Sequence, residues 1–359
     1  MKKKPSKTIS TNKIAAICAA VLCAAFLTLG LAGCSTGASA DGNGASSAQG
    51  VSGNNTQGTP SSSSSASTAA SSKATIGTLA TEDILPMWVA ADQGFFAKAG
   101  LDASIVTFQS ATELIAAVTA GDVDYAMTDP MVAASIYASG TDVAIEWVTL
   151  GTTAAQGRFG IMTADPDIKT LADLADKKIG VGSNTILEYV MDTLMEQAGV
   201  ADADIETAEL QKLPVRYQAM ASGQVAAAAL PASLLALGEA NGFTVVADDT
   251  TGDNISQSVM IARTDALSAA GGADTLAALK SVWNEAASQI NADPSAYRAL
   301  LAKNANLSDD IAETYQISEY PACQLPTQEQ VDNVLSWMKK KGYLTLDLAY
   351  NAADGTFSK

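Results

Sequence analysis

The sequence predicts an α/β protein of two lobes, each a mostly parallel sheet flanked by helices, with the chain crossing between the lobes twice. Three observations lead there. From Thr75 onward, short apolar runs alternate with helix-length segments, the βαβα order of a parallel sheet covered by helices. One such unit recurs: "GDVDYAMTDPMVAASIYASG" (121–140) matches "GQVAAAALPASLLALGEANG" (223–242) in length, in its Gly-x-Val start, in the Pro near its helix start and in its terminal Gly. Two further strand-like runs, "RFGIMT" (158–163) and "SVMIAR" (258–263), stand at the joins and read as the crossings. The expected division is lobe I at 74–158 with 259–359, and lobe II at 159–258.

The elements follow in chain order. Residues 1–33 are an export signal: Lys2, Lys3, Lys4, Lys7 and Lys13, an apolar run over 14–31, then Leu31-Ala32-Gly33-Cys34. Small residues before the Cys and polar sequence straight after it resemble a lipobox more than a retained membrane helix. In that reading Cys34 is diacylated and anchors the chain to the outer face of the cell membrane. Residues 34–73 are a Ser/Gly/Ala-rich tether with too few apolar residues for a core.

In the folded part, 76–80 is strand-like, 86–99 helical and 103–108 strand-like. Ser110 and Glu113 have capping-box spacing, and Gly121 closes that helix. A strand over 123–127 leads to Asp129-Pro130, which opens a helix closed by Gly140. Strands follow over 143–150 and 178–181. After Arg263 only helical segments are expected, the last over 327–341 with a capping box at Thr327 and Gln330.

Composition narrows the function. The 359 residues hold 38 acidic against 21 basic side chains and no His. The acidic balance argues against nucleic acid. Without His there is no Ser-His-Asp or Cys-His catalysis and no His-ligated zinc. No cofactor and no metal are indicated. Cys18 and Cys23 leave with the signal and Cys34 is acylated, so Cys323 stands alone, a small apolar residue without a disulfide partner.

Four stretches carry a family resemblance: "LPMWVAADQGFFAKAGLDASIV", "SATELIAAVTAGDVDYAMTD", "KTLADLADKKIGVGSNT" and "RYQAMASGQVAAAALPASL". Their order and spacing resemble the nitrate/sulfonate/taurine/thiamine-precursor group of ABC-importer solute-binding proteins, with the type II periplasmic-binding-protein fold. The resemblance spans about 75–343. It departs at Ala175-Asp176, where the family more often has Gly. It implies a monomeric, non-enzymatic protein that takes a small polar ligand between its lobes and delivers it to an ABC permease and its ATPase. A thiamine-pyrimidine precursor is the alternative ligand. A pyrimidine-synthase-like enzyme or a ligand-sensing module is the alternative class.

In such a fold the ligand lies at the carboxyl ends of the strands. That selects Thr81, Glu82 and Asp83 after the first strand, with Trp88 as an apolar wall or a core residue. Phe95 and Phe96 pack their helix onto the sheet. Gln109 and Ser110 form the next loop of lobe I, Ser110 as a cap first. Asp129 is an N-cap or an acceptor for a ligand amino group, and Pro231 holds the matching place in lobe II. Ser183, Asn184 and Thr185 open a helix whose free amides suit an anion. Arg158 at the first crossing is an anion clamp or a hinge ion pair. Arg216, with Tyr217 at a helix start in lobe II, could reach the cleft but reads first as a solvated surface residue. Together these groups suit a zwitterion such as taurine, its anion on lobe II and its amino group on lobe I.

Overall fold

The computed structural model describes residues 72–305 and 307–359. The export signal, Cys34 and the tether up to residue 71 lie outside them. Among the described residues no helix is long and apolar enough to cross a membrane.

Twelve strands form two sheets among these residues. They are β1 (Ser72–Leu79), β2 (Leu101–Phe108), β3 (Tyr125–Thr128), β4 (Val143–Leu150), β5 (Phe159–Thr163), β6 (Lys178–Val181), β7 (Glu206–Glu209), β8 (Ala227–Pro231), β9 (Thr244–Asp248), β10 (Ser258–Arg263), β11 (Ala349–Asn351) and β12 (Thr356–Ser358). The first sheet has the order β11-β12-β4-β10-β3-β1-β2, the second β7-β6-β8-β5-β9. Apart from the hairpin, the two orders are the same arrangement. A first strand (β1, β6) lies between its follower (β2, β7) and the strand of the recurring unit (β3, β8), all parallel. The strand arriving from the other lobe (β10, β5) then joins antiparallel. Most strands of each sheet therefore point one way, and the crossing strand opposes them.

The main helices are α1 (Leu85–Asp92), α2 (Phe95–Lys98), α3 (Ala111–Ala120), α4 (Pro130–Ala138), α5 (Ile186–Gln197), α6 (Leu213–Ala221), α7 (Ala232–Ala240), α8 (Thr264–Ser268), α9 (Gly272–Ala292), α10 (Arg298–Ala305), α11 (Asp309–Thr314) and α12 (Gln328–Lys341). Both capping expectations hold: the Ser110 hydroxyl accepts from Glu113 N–H, and Thr327 and Gln330 form a reciprocal box. β4 is buried along its whole length. Its Trp147 meets Trp283 of α9 at 5.8 Å between ring centroids, in the core that also takes Phe95 and Phe96. Each buried Phe contributes about 1.5–3 kcal/mol.

Three local expectations need correction. The helix over 86–99 is two helices, because Gly94 turns left-handed at φ 70°. β1 takes in Ser72 and Lys73, which composition assigns to the tether; they pair with Leu101 and Asp102. The chain does not end in helices alone. β11 and β12 form a hairpin beside β4, with Tyr350 and Phe357 facing inward. Three-residue strands are too short to show a period. Gly355 is required there, since a Cβ would lie 1.8 Å from the Ile145 carbonyl oxygen.

Candidate functional site

The loops after β1 and β3 face the loops after β6 and β8. Between them lies an inner pocket of about 60 Å³, reached by Thr81, Asp83, Asp129, Thr185 and Pro231. A narrow passage continues from it. Thr81, Asp83 and Pro231 line both, and the passage adds Glu82 and Arg158. Glu82 and Arg158 in turn border an outer vestibule of about 680 Å³, between α7 and the 310–319 segment. The vestibule has the size of ordinary small-molecule sites, about 300–1,000 Å³, and the inner pocket is smaller.

The lobe I side is acidic. Glu82 is buried and accepts from the Tyr315 hydroxyl at 2.7 Å and the Ser318 hydroxyl at 3.3 Å. Burial pushes its pKa up to about 7 against those bonds, and neighbouring Asp83 adds to the rise. Asp83 is also buried and accepts from the Ser258 hydroxyl at 2.6 Å. Asp129 caps α4 by accepting Val132 N–H at 2.8 Å. Its second oxygen reaches across the cleft to Ile186 N–H at 3.1 Å. Burial raises its pKa to about 6. Among the described residues none of these three carboxylates has an ion pair within 4.0 Å.

The lobe II side differs. Three amides at the start of α5 are covered by the protein's own carboxylates. Ser183 N–H and its hydroxyl go to Glu209, Asn184 N–H to Glu188 at 2.7 Å, and Ile186 N–H to Asp129. Arg216, on α6, lines the inner pocket and is 2% exposed. It donates to the carbonyls of Leu210 (2.9 Å), Ala229 (3.0 Å) and Gln211 (3.4 Å). Burial lowers its pKa to about 10, with Glu209 opposing. Gly182 makes room for it, since a Cβ there would lie 2.4 Å from Nη2.

Of the residues selected from sequence, Thr81, Asp83, Asp129, Thr185 and Pro231 come together at the inner pocket, with Glu82 at the vestibule. Others do not. Trp88 is buried in the core with Trp147 and Trp283, because the α1 face that carries it packs inward. Ser110 is spent on its cap, and Gln109 stays exposed, its N–H donating to the Glu113 carboxylate at 3.0 Å and its carbonyl accepting Leu213 N–H at 3.3 Å. Arg158 is no open anion clamp. It holds Glu239 through both terminal nitrogens and Asp248 at 2.7 Å. These partners outweigh its burial and raise its pKa. Ser183 faces Glu209, and Asn184 donates to the Ser135 hydroxyl at 2.7 Å. The Ser183 and Asn184 amides expected to be free for an anion are therefore occupied. Arg216, taken for a solvated residue, is the residue missed. Laying the repeated halves over each other sets it opposite Leu114, a core position, and that was the available signal.

Two lobes of like topology, joined by two crossings with the cleft at the strand carboxyl ends, define the type II periplasmic-binding-protein fold. Solved structures agree. The aliphatic sulphonate binding protein SsuA from Escherichia coli aligns at 18% identity and TM-score 0.64, covering 76% of this chain and 89% of its own. The nitrate-binding protein NrtA from Synechocystis PCC 6803 aligns at 14% and 0.62, covering 77% and 83%. The desulfurization enzyme DSZB aligns at 15% and 0.56, covering 77% and 94%. No curated protein matches the chain by sequence. The family model described as NMT1/THI5 like matches residues 81–296, and the chain belongs to that family.

Proposed function

We propose that this chain is the extracytoplasmic solute-binding component of an ABC importer, and that its ligand carries an amino or ring N–H group. Lobe I, at 74–158 and 259–359, and lobe II, at 159–258, move about the two crossings to enclose it. The observation that carries the ligand class is the set of buried carboxylates Glu82, Asp83 and Asp129, which form no ion pair among the described residues. Ionised and unpaired, each is costly in a closed cleft, and a ligand cation or N–H donor offsets that cost. Arg216 lines the inner pocket with Asp83 and Asp129, so an acceptor or anionic end of the same ligand meets a cation there. Taurine-like zwitterions and aminopyrimidines carry both features. A plain anion meets the lobe I carboxylates with no amino group to offset them.

The protein is read as carrying its ligand rather than transforming it, a reading supported by solved neighbours that are named as binding proteins. Delivery is to a membrane permease and its ATPase. Cys34 supplies the anchor, its acyl chains giving the membrane affinity. Cys34→Ala is expected to leave the protein unprocessed or released from membranes, and unchanged size and fractionation would refute lipidation. For the ligand, calorimetric titration with taurine, an aminopyrimidine, an alkanesulfonate and nitrate tests the reading. Binding is expected for the amine-bearing compounds. Equal affinity for an alkanesulfonate without an amino group would sink it.

A further inference from the structure

We propose that the C-terminal segment 328–343 is a clasp that sets the conformation of the loop 182–185, whose Thr185 lines the inner pocket, with Glu188 as the positioning residue between them. The proposal rests on the reading of that loop as one wall of the cleft. The clasp itself lies beyond the region matched by the family model, which stops at 296.

Glu188 is 2% exposed, and its two oxygens look in opposite directions. One accepts the Asn184 N–H at 2.7 Å, inside the loop. The other accepts the Tyr343 hydroxyl at 2.9 Å and meets Lys341 Nζ at 3.3 Å, both from the end of the chain. Lys341 also pairs with Asp192 at 2.9 Å, and Asp192 accepts from the Trp337 indole at 2.9 Å. The Trp337 ring meets Tyr189 edge-on at 5.3 Å. On its other side α12 shares an apolar cluster with Met131 and Ala134 of α4 through Val331, Val334 and Leu335. The segment thus holds α5 of one lobe against α4 of the other.

The loop needs that support. Asn184 sits at φ 60°, a left-handed conformation uncommon outside Gly, although Asn adopts it more readily than most residues. Its N–H on Glu188 and its amide on Ser135 fix it there. Without Tyr343 and Lys341, Glu188 is a buried carboxylate short of partners and turns toward solvent. Asn184 N–H then loses its acceptor, and the loop relaxes out of the left-handed conformation.

Hydrogen exchange across 182–187 in the full folded chain, without any ligand, tests the clasp. Tyr343→Phe combined with Lys341→Met is expected to speed exchange at the Asn184 amide roughly tenfold, the loss of one buried hydrogen bond, while β6 and β8 stay protected. Glu188→Gln is expected to give a similar local response, and adding it to the clasp variant little more, because both act through one path. Unchanged Asn184 exchange in the clasp variant, or fully additive effects, would overturn the proposal. Tyr343→Phe alone, at a position 36% exposed, keeps the test open if Glu188→Gln does not fold. Since no ligand enters the measurement, a failed ligand titration would sink the functional reading and leave the clasp standing.

Discussion

Gly77 of β1 lies under Leu114 of α3, and Gly180 of β6 lies under Arg216 of α6. A Cβ on Gly77 would come 2.6 Å from the Leu114 side chain, and one on Gly180 3.2 Å from the Arg216 side chain. The sheets share their strand order, so these are matching places in matching lobes. Lobe I fills its place with a hydrocarbon and lobe II with a guanidinium. The neighbouring loops differ in the opposite sense. Asp129 follows β3 in lobe I, and Pro231 ends β8 in lobe II. One architecture therefore presents acid on one wall of the cleft and a buried cation on the other. Backbone topology fixes where the groups stand, and single side chains decide what they select.

Removing the lobe II cation is expected to have the largest effect. Arg216→Ala strands the carbonyls of Leu210 and Ala229 and empties a packed volume, costing about 3–5 kcal/mol in denaturant unfolding. A cost below about 1 kcal/mol would mean that the residue is solvated after all.

Lobe I is tested by pH. Glu82 titrates near 7 and Asp129 near 6, as does Asp249 at the second crossing, all raised first by burial. Their unfolded values are the ordinary 4.5 and 3.8. Between about pH 4 and 7 the folded chain thus binds more protons than the unfolded one, and stability falls as pH rises through that window. The loss is on the order of 3 kcal/mol for one such group. Stability is expected to be higher at pH 5 than at pH 8, and Glu82→Gln to flatten part of the slope. A profile that is level in wild type would remove the unpaired-carboxylate picture of lobe I.

Much of the comparison was legible in the sequence. The repeat at 121–140 and 223–242 carries the two-lobe plan, since glycines bound both units at equal spacing and a Pro stands near each helix start. The Thr81–Asp83 loop and Asp129 followed from strand ends alone. Trp88 did not, because its α1 is apolar on every side and gives no inward direction. Arg216 did not, because a charged residue at a helix start looks solvated until its backbone partners are seen. The closing hairpin was too short to read. The departure from family pattern at Asp176 has a physical counterpart: it adopts φ 58°, the conformation that a Gly there would favour.

The central claim, that the acidic wall of lobe I reads an N–H-bearing group of the ligand, rests most directly on Glu82. Glu82→Gln keeps an oxygen for the Tyr315 hydroxyl and removes the charge. Calorimetric titration at pH 8, where Glu82 is ionised, would compare the variant with wild type for taurine and an aminopyrimidine. Affinity for the compound that wild type binds is expected to fall by about 2–5 kcal/mol, the cost of losing one partner of a buried charge pair. Equal affinity in the two proteins would contradict it.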